Sequence, residues 1–271
     1  MRRRIVEVIV VLAVGGAVCA PAATAAPSAP IHPGVQLFTD GAQCTANFVF
    51  RDAHDTYVGQ AAHCSGTGAE TATNGCTSQS LPIGTAVTVT GATRPGTLVY
   101  NSWLTMQALH ETDADTCAYN DLALVRLDPA DAANVDPTVP GFGGPTGVAS
   151  GPGVLASVFS YGNSELRGAI AQLSPKQGLV VQVDGGGWSR GVYTVTPGIP
   201  GDSGSGFMNA SGQAVGILST LAIAPLPLSN GVGDLAKELD YMHAHSTFTG
   251  VQLVNGTRPF KANLLGAILG L

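Results

Sequence analysis

From Gly34 to Ser219 the chain is written in short apolar runs, each closed by a cluster of Gly, Pro, Asp, Asn or Ser before it reaches helical length. That punctuation constrains the fold most, because a helix must carry a 3.6-residue apolar period through several turns, whereas a strand needs only a few residues between turn signals. In the first half, Val35–Phe38, Ala46–Phe50, Tyr57–Ala62, Ala86–Thr90, Thr97–Tyr100 and Leu122–Leu127 have strand composition, with Asp40-Gly41 a hairpin signal between the first two. Val154–Tyr161, Gly178–Val183, Gly191–Thr196 and Gln213–Ser219 continue the pattern. The 36 Gly and 17 Pro, against 11% charged residues, agree with an all-β class.

Residues 139–153 are dense in turn formers and read as a linker between two β-rich units, 26–138 and 154–232. The glycines from Gly141 to Gly147 do not form a nucleotide loop, since Pro145 interrupts them and no helix pattern follows. Helical spacing is convincing only over 233–245, where Asp234 can cap and Leu235, Leu239 and Met242 share a face. The tail, 246–271, ends in an apolar run too short to span a bilayer.

The amino terminus has the three parts of a secretory signal: basic Met1-Arg2-Arg3-Arg4, apolar Val8–Ala20, and a small, Pro-broken end with Ala23-Thr24-Ala25. Cleavage after Ala25 is expected, making residues 1–25 a signal peptide and placing the protein outside the cytoplasm, secreted or in the cell envelope. Removing three arginines and one glutamate with the leader takes the net charge from −6 to −8. No basic patch remains for nucleic acid, no stable membrane span is expected after signal removal, and a monomer is expected. Losing Cys19 leaves Cys44, Cys64, Cys76 and Cys117, an even number in a chain bound for an oxidising compartment. Two disulfides are expected, with three pairings open. No Cys-x-x-Cys pair supports zinc, so neither a metal nor a cofactor is expected.

Gly198–Gly206 holds Ser203 among glycines that permit a tight turn with its backbone N–H groups accessible. A serine hydroxyl needs an imidazole to take its proton. His63 is the candidate, ending an apolar segment beside Cys64, while His32, His54, His110, His243 and His245 have weaker contexts. An imidazole base gains from a carboxylate that fixes its tautomer. Asp121 suits that role, because it opens the buried run Leu122-Ala123-Leu124-Val125 where a carboxylate must accept strong hydrogen bonds. Asp113, Asp115 and Asp128 read as solvated loop charges.

Ala61-Ala62-His63-Cys64, Asp121-Leu122-Ala123-Leu124-Val125 and Gly201-Asp202-Ser203-Gly204-Ser205-Gly206 resemble, in this order, the three signature segments of chymotrypsin-like (trypsin-type) serine proteases. The resemblance covers about Gly34 to Met242, and the flanking text is similar to exported actinobacterial members. It implies two antiparallel β-barrels packed side by side with a C-terminal helix. It also implies a Ser203, His63 and Asp121 triad, an oxyanion hole from the N–H groups of Gly201 and Ser203, and a polypeptide substrate. The implied disulfides are Cys44 with Cys64 and Cys76 with Cys117.

The chain departs from that family where the substrate would sit. Pro197 stands where trypsin-like members carry the Asp that binds basic side chains. Ser219-Thr220-Leu221 resembles the segment that hydrogen-bonds the substrate backbone, yet Leu221 replaces a common Gly and should narrow the pocket. A small or apolar residue before the scissile bond is expected. Asp202 needs a cation, for which Arg126, Arg167 and Arg190 are the candidates. A secreted serine endopeptidase is the leading reading; a catalytically weak binding or cell-surface module on the same fold, or an esterase, are the alternatives.

Overall fold

The structure, a computed structural model, describes residues 29–69, 72–221 and 227–270; the expected signal peptide lies outside the described residues. In the first half, the strands are β1 (Gln36–Thr39), β2 (Ala42–Thr45), β3 (Val49–Arg51), β4 (Thr56–Ala61), β5 (Ala86–Val89), β6 (Gly96–Asn101) and β7 (Leu122–Arg126). Two short helices, α1 (Ser102–Ala108) and α2 (Ala114–Tyr119), sit between β6 and β7. The second half contains β8 (Ser157–Tyr161), β9 (Pro175–Asp184), β10 (Ser189–Thr194), β11 (Gly206–Asn209), β12 (Ala214–Leu221) and β13 (Asn230–Asp234). The chain then forms α3 (Leu235–His245), β14 (Gln252–Leu253) and α4 (Leu264–Leu269).

The second-half strands close into an antiparallel barrel, ordered β10-β13-β12-β11-β8-β9 and back to β10. The first half forms an eight-stranded antiparallel sheet, ordered β14-β3-β4-β7-β6-β5-β1-β2. β2 runs on through residues 46–48, which bond to Gly59 of β4, into β3. One stretch of chain therefore belongs to both ends of the sheet, and the sheet curls on itself. The all-β class with a C-terminal helix is thus as expected.

Asp40 and Gly41 both take positive φ, 48° and 85°, as a two-residue hairpin turn requires. The strand this turn delivers is Ala42–Thr45, not Ala46–Phe50 as the apolar pattern suggested. So tight a turn pairs β1 with the residues that follow at once, and Val49–Arg51 is left for β4.

β7 shows why the run Leu122–Val125 is apolar on both faces. Leu122 and Leu124 enter a core between the two halves, with Phe48, Phe159, Ile217 and Leu235; Ala123 and Val125 enter the core of the first half, with Val58 and Leu98. α3, capped by the Asp234 side chain on the Lys237 N–H, lays Leu235, Leu239 and Met242 across the seam. Burying each stabilises by about 1.5–3 kcal/mol. The tail packs as well: β14 adds to β3, and Phe260 and Leu264 lean on the central core. No helix among the described residues is long and apolar enough to cross a membrane.

Candidate active site

His63 sits in a 3₁₀ turn, Ala62–Ser65, at the end of β4. The turn is held by Asn101, whose Nδ2 donates to the Ala62 carbonyl and Ser65 Oγ while its Oδ1 caps α1 at the N–H groups of Trp103 and Leu104. The Cys44–Cys64 disulfide, with Cα atoms 6.1 Å apart, ties the same turn to β2. The second disulfide joins Cys76 to Cys117 of α2, just before Asp121. Both pairings implied by the resemblance are therefore present. The sulfurs of Cys44 and Cys64 lie within 4.8 Å of a His63 ring nitrogen, but the bridge consumes both and leaves no thiolate for a metal.

Asp121 is 2% exposed and accepts three hydrogen bonds on its carboxylate. Oδ1 takes the His63 backbone N–H at 2.9 Å; Oδ2 takes His63 Nδ1 at 2.7 Å and Ser219 Oγ at 2.6 Å. Its backbone is bound at both ends, the carbonyl by Ala62 N–H at 2.6 Å and the N–H by Glu238 Oε1 of α3 at 3.0 Å. Burial alone would lower the His63 pKa, yet the charge and hydrogen bond of Asp121 outweigh it and raise the imidazole above its ordinary 6.5. A carboxylate can only accept, so Nδ1 carries the proton and Nε2 is left with its lone pair.

Ser203 is partly buried in the turn between β10 and β11. Its carbonyl accepts Thr45 N–H of β2 at 2.8 Å, and Gly204 N–H donates to Leu218 of β12 at 2.7 Å. Gly204, at φ 85°, is pressed against the first half: a Cβ there would lie 2.7 Å from the Thr45 carbonyl and 2.9 Å from Ala61 N. Only glycine allows this approach, which brings the Ser203 turn against the strand ends that carry Cys44 and His63. Ser203 Oγ makes no hydrogen bond to His63 or any other described residue, and a bond of this kind is often long before a substrate is bound.

The loop is tethered from outside. Ser164 Oγ donates to the Pro200 carbonyl at 2.5 Å, and the Gly201 carbonyl accepts from Gln43 Nε2 at 3.0 Å and Thr45 Oγ1 at 2.7 Å. The N–H groups of Gly201 and Ser203 donate to no described residue. Asp202 is fully buried; among the candidate cations Arg167 bonds its Oδ2, whereas Arg126 pairs with Asp55 and Arg190 with Asp234. A second cation joins Arg167, the fully buried Lys176 of β9, 3.1 Å from the same oxygen. Burial, only partly offset by Asp202, lowers the Lys176 pKa from 10.5 to about 8.

Three solved structures share this architecture. Thermobifida fusca protease A superimposes with a TM-score of 0.53 at 19% identity, over 83% of this chain and 99% of its own. A glutamic-acid-specific serine protease, described as using a histidine triad in substrate binding, gives 0.52 at 18%, over 83% and 100%. Cellulomonas bogoriensis chymotrypsin gives 0.50 at 17%, over 83% and 98%. The chain has the chymotrypsin-like fold. No family model matches the sequence, and no curated protein does.

Within the chymotrypsin-like fold the expected pocket residues fall at the ends of β10 and β12. Pro197 is exposed and Leu221 is 41% exposed, while the Ser219 hydroxyl turns to Asp121. The Pro197 carbonyl receives Arg167 at 2.9 Å and Lys176 at 3.4 Å, so cations back this segment. Ser219, Thr220 and Gly231 line a cavity of about 270 Å³ together with Thr73 and Tyr119 of the first half. Sequence reading missed Ser164, Gln43, Lys176 and Glu238, none of which lies in a motif. For Glu238 a signal was present: a charged residue on the otherwise apolar face of a helix, one turn past its cap.

Proposed function

We propose that the protein is a serine endopeptidase acting outside the cytoplasm, with Ser203 as nucleophile, His63 as general base and then acid, and Asp121 as its orienting carboxylate. The observation that carries this reading is the 2.7 Å bond from His63 Nδ1 to buried Asp121, which leaves Nε2 as the acceptor a serine hydroxyl needs. Ser203 Oγ adds to the substrate carbonyl as Nε2 takes its proton, and the same proton passes to the leaving amine. Water then releases the acyl group by the reverse roles. The N–H groups of Gly201 and Ser203, without partners among the described residues, suit the oxyanion, and one such donor is worth about 3 kcal/mol in the transition state. Two disulfides support an oxidising compartment.

For the residue before the scissile bond, the reading is small or apolar. Pro197 offers no acid to a basic side chain, and cations lie behind its carbonyl. A polypeptide substrate and a monomeric enzyme complete the proposal. The test is a fluorophosphonate probe on folded wild type and Ser203→Ala, followed by a peptide library. Labelling that disappears in S203A supports the triad, and absence of labelling in wild type overturns it. Dominant cleavage after Lys or Arg overturns the pocket reading. Turnover of esters but not of peptides favours an esterase, and partner capture without turnover a binding module.

A further inference from the structure

Glu238 is a buried carboxyl directly behind Asp121. It lies in the first turn of α3 with no exposed surface, and Oε1 accepts the Asp121 backbone N–H at 3.0 Å. Gly233 makes room for it, since a Cβ there would stand 2.6 Å from Oε1. Its other oxygen, Oε2, is buried with no hydrogen-bond partner among the described residues.

The groups facing Glu238 come from three directions. Asp121 precedes β7, Asp234 ends β13 and caps α3, and Tyr100 approaches from β6. Asp234 is already engaged by Arg190 of β10 at 2.7 Å. Burial, joined by the charges of Asp121 and Asp234, raises the Glu238 carboxyl well above the ordinary carboxylate range despite the hydrogen bond from Asp121 N–H.

Resting on the roles given above to His63, Asp121 and Ser203, we propose that Glu238 is a positioning residue for Asp121, holding its backbone through an uncharged carboxyl. The Asp121 peptide is then fixed on both sides, by Glu238 at its N–H and by Ala62 at its carbonyl, before its side chain meets His63. A neutral acid supplies the acceptor without adding a second negative charge beside the one that raises the imidazole. An ionised Glu238 would instead contribute to the His63 pKa.

The experiment compares wild type, Glu238→Leu and Glu238→Gln as full folded chains. It reads kcat and KM on a peptide substrate and, separately, the titration midpoint of His63 by NMR of labelled histidine. E238L should lower kcat tenfold or more with KM within twofold, and move the His63 midpoint down as Asp121 loosens. E238Q, which keeps an acceptor oxygen and carries no charge, should restore both to wild-type values. An E238L enzyme matching wild type in kcat and midpoint overturns the positioning role. A midpoint lowered in E238Q as though a negative charge had been removed overturns the uncharged carboxyl. Should E238L not fold, Glu238→Asp, which draws the oxygen back from Asp121 by one methylene, replaces it with the same expected and overturning results. The His63 titration needs no turnover, so an inactive, probe-negative wild type would sink the peptidase reading while the hold on Asp121 is still decided by NMR.

Discussion

Ser219 Oγ and His63 Nδ1 share one oxygen of Asp121, Oδ2, at 2.6 and 2.7 Å. The two bonds divide the density of a single carboxylate oxygen, so Ser219 tempers the charge that His63 feels. In Ser219→Ala the remaining charge falls more fully on the imidazole, and the geometry loses one of three restraints. The expected result is about a tenfold loss in kcat/KM, the order of one charge-assisted hydrogen bond. The acid midpoint of the pH profile should move upward, and a profile of kcat/KM against pH checks both.

Under the proposed triad, wild-type His63 can act as base only when neutral, and its pKa is raised above 6.5 by Asp121 despite burial. Activity should therefore fall as pH drops through a midpoint above 6.5. The linkage to stability has the opposite sense. A raised folded pKa means that the folded state binds the proton more tightly, so this contribution is complete below 6.5 and is lost as pH rises through the folded value. Asp121→Asn should abolish that contribution and the activity together, as measured by thermal melts across the window and by peptide hydrolysis.

What the sequence made legible, and what it hid, follows from the range of the interactions. His63, Asp121 and Ser203 announce themselves because the residues beside each prepare its backbone: a cysteine to bridge, a run of apolar residues to bury, glycines to turn. β11 and β13 escaped notice because Gly206-Phe207-Met208-Asn209 and Asn230-Gly231-Val232-Gly233-Asp234 carry too few β-branched residues to read as strands alone; their barrel neighbours hold them. α1 and α2 are one or two turns long and exist by virtue of Asn101 and Asp113 as caps. Gln43 meets Gly201 across 158 residues, a separation at which no local pattern is expected; Glu238 meets Asp121 across 117, and its charge on an apolar helix face marks it as buried without naming its partner.

The Gly201 loop gives a pair of contrasting substitutions. A Cβ at Gly201, where φ is 93°, would fall 2.0 Å from Gln43 Oε1 and 2.9 Å from Ser164 Oγ. Gln43 cannot simply swing away, being bonded to the carbonyls of Cys44, Asn163 and Gly201 and to the Glu165 N–H. Gly201→Ala should therefore turn the proposed oxyanion donor aside and reduce kcat about a hundredfold or more, with a lower melting temperature. Ser164→Ala removes the donor to the Pro200 carbonyl, and with it the acceptor that caps the Leu166 N–H, but introduces no clash at Gly201. Its kcat should fall up to about tenfold with KM little changed, a split that steady-state kinetics resolves.

Asp202 supplies the last prediction, because two cations meet it in a site closed to water. Lys176 is the one that titrates near neutrality, its pKa lowered to about 8 chiefly by burial. A lowered lysine means that the unfolded chain binds the proton more tightly, so wild-type stability should rise as pH climbs from 8 to 10.5, by about 3 kcal/mol at most. Lys176→Met removes the titrating group and keeps Arg167 on Asp202, so its stability should be flat over that window and no worse than wild type near pH 7. Asp202→Asn leaves Arg167 and Lys176 facing each other without their carboxylate, which should cost about 3–5 kcal/mol. Denaturant unfolding at pH 7 and pH 10 for the three proteins separates the cases: a wild type no more stable at pH 10 relative to K176M would show that Lys176 is not held against its own desolvation.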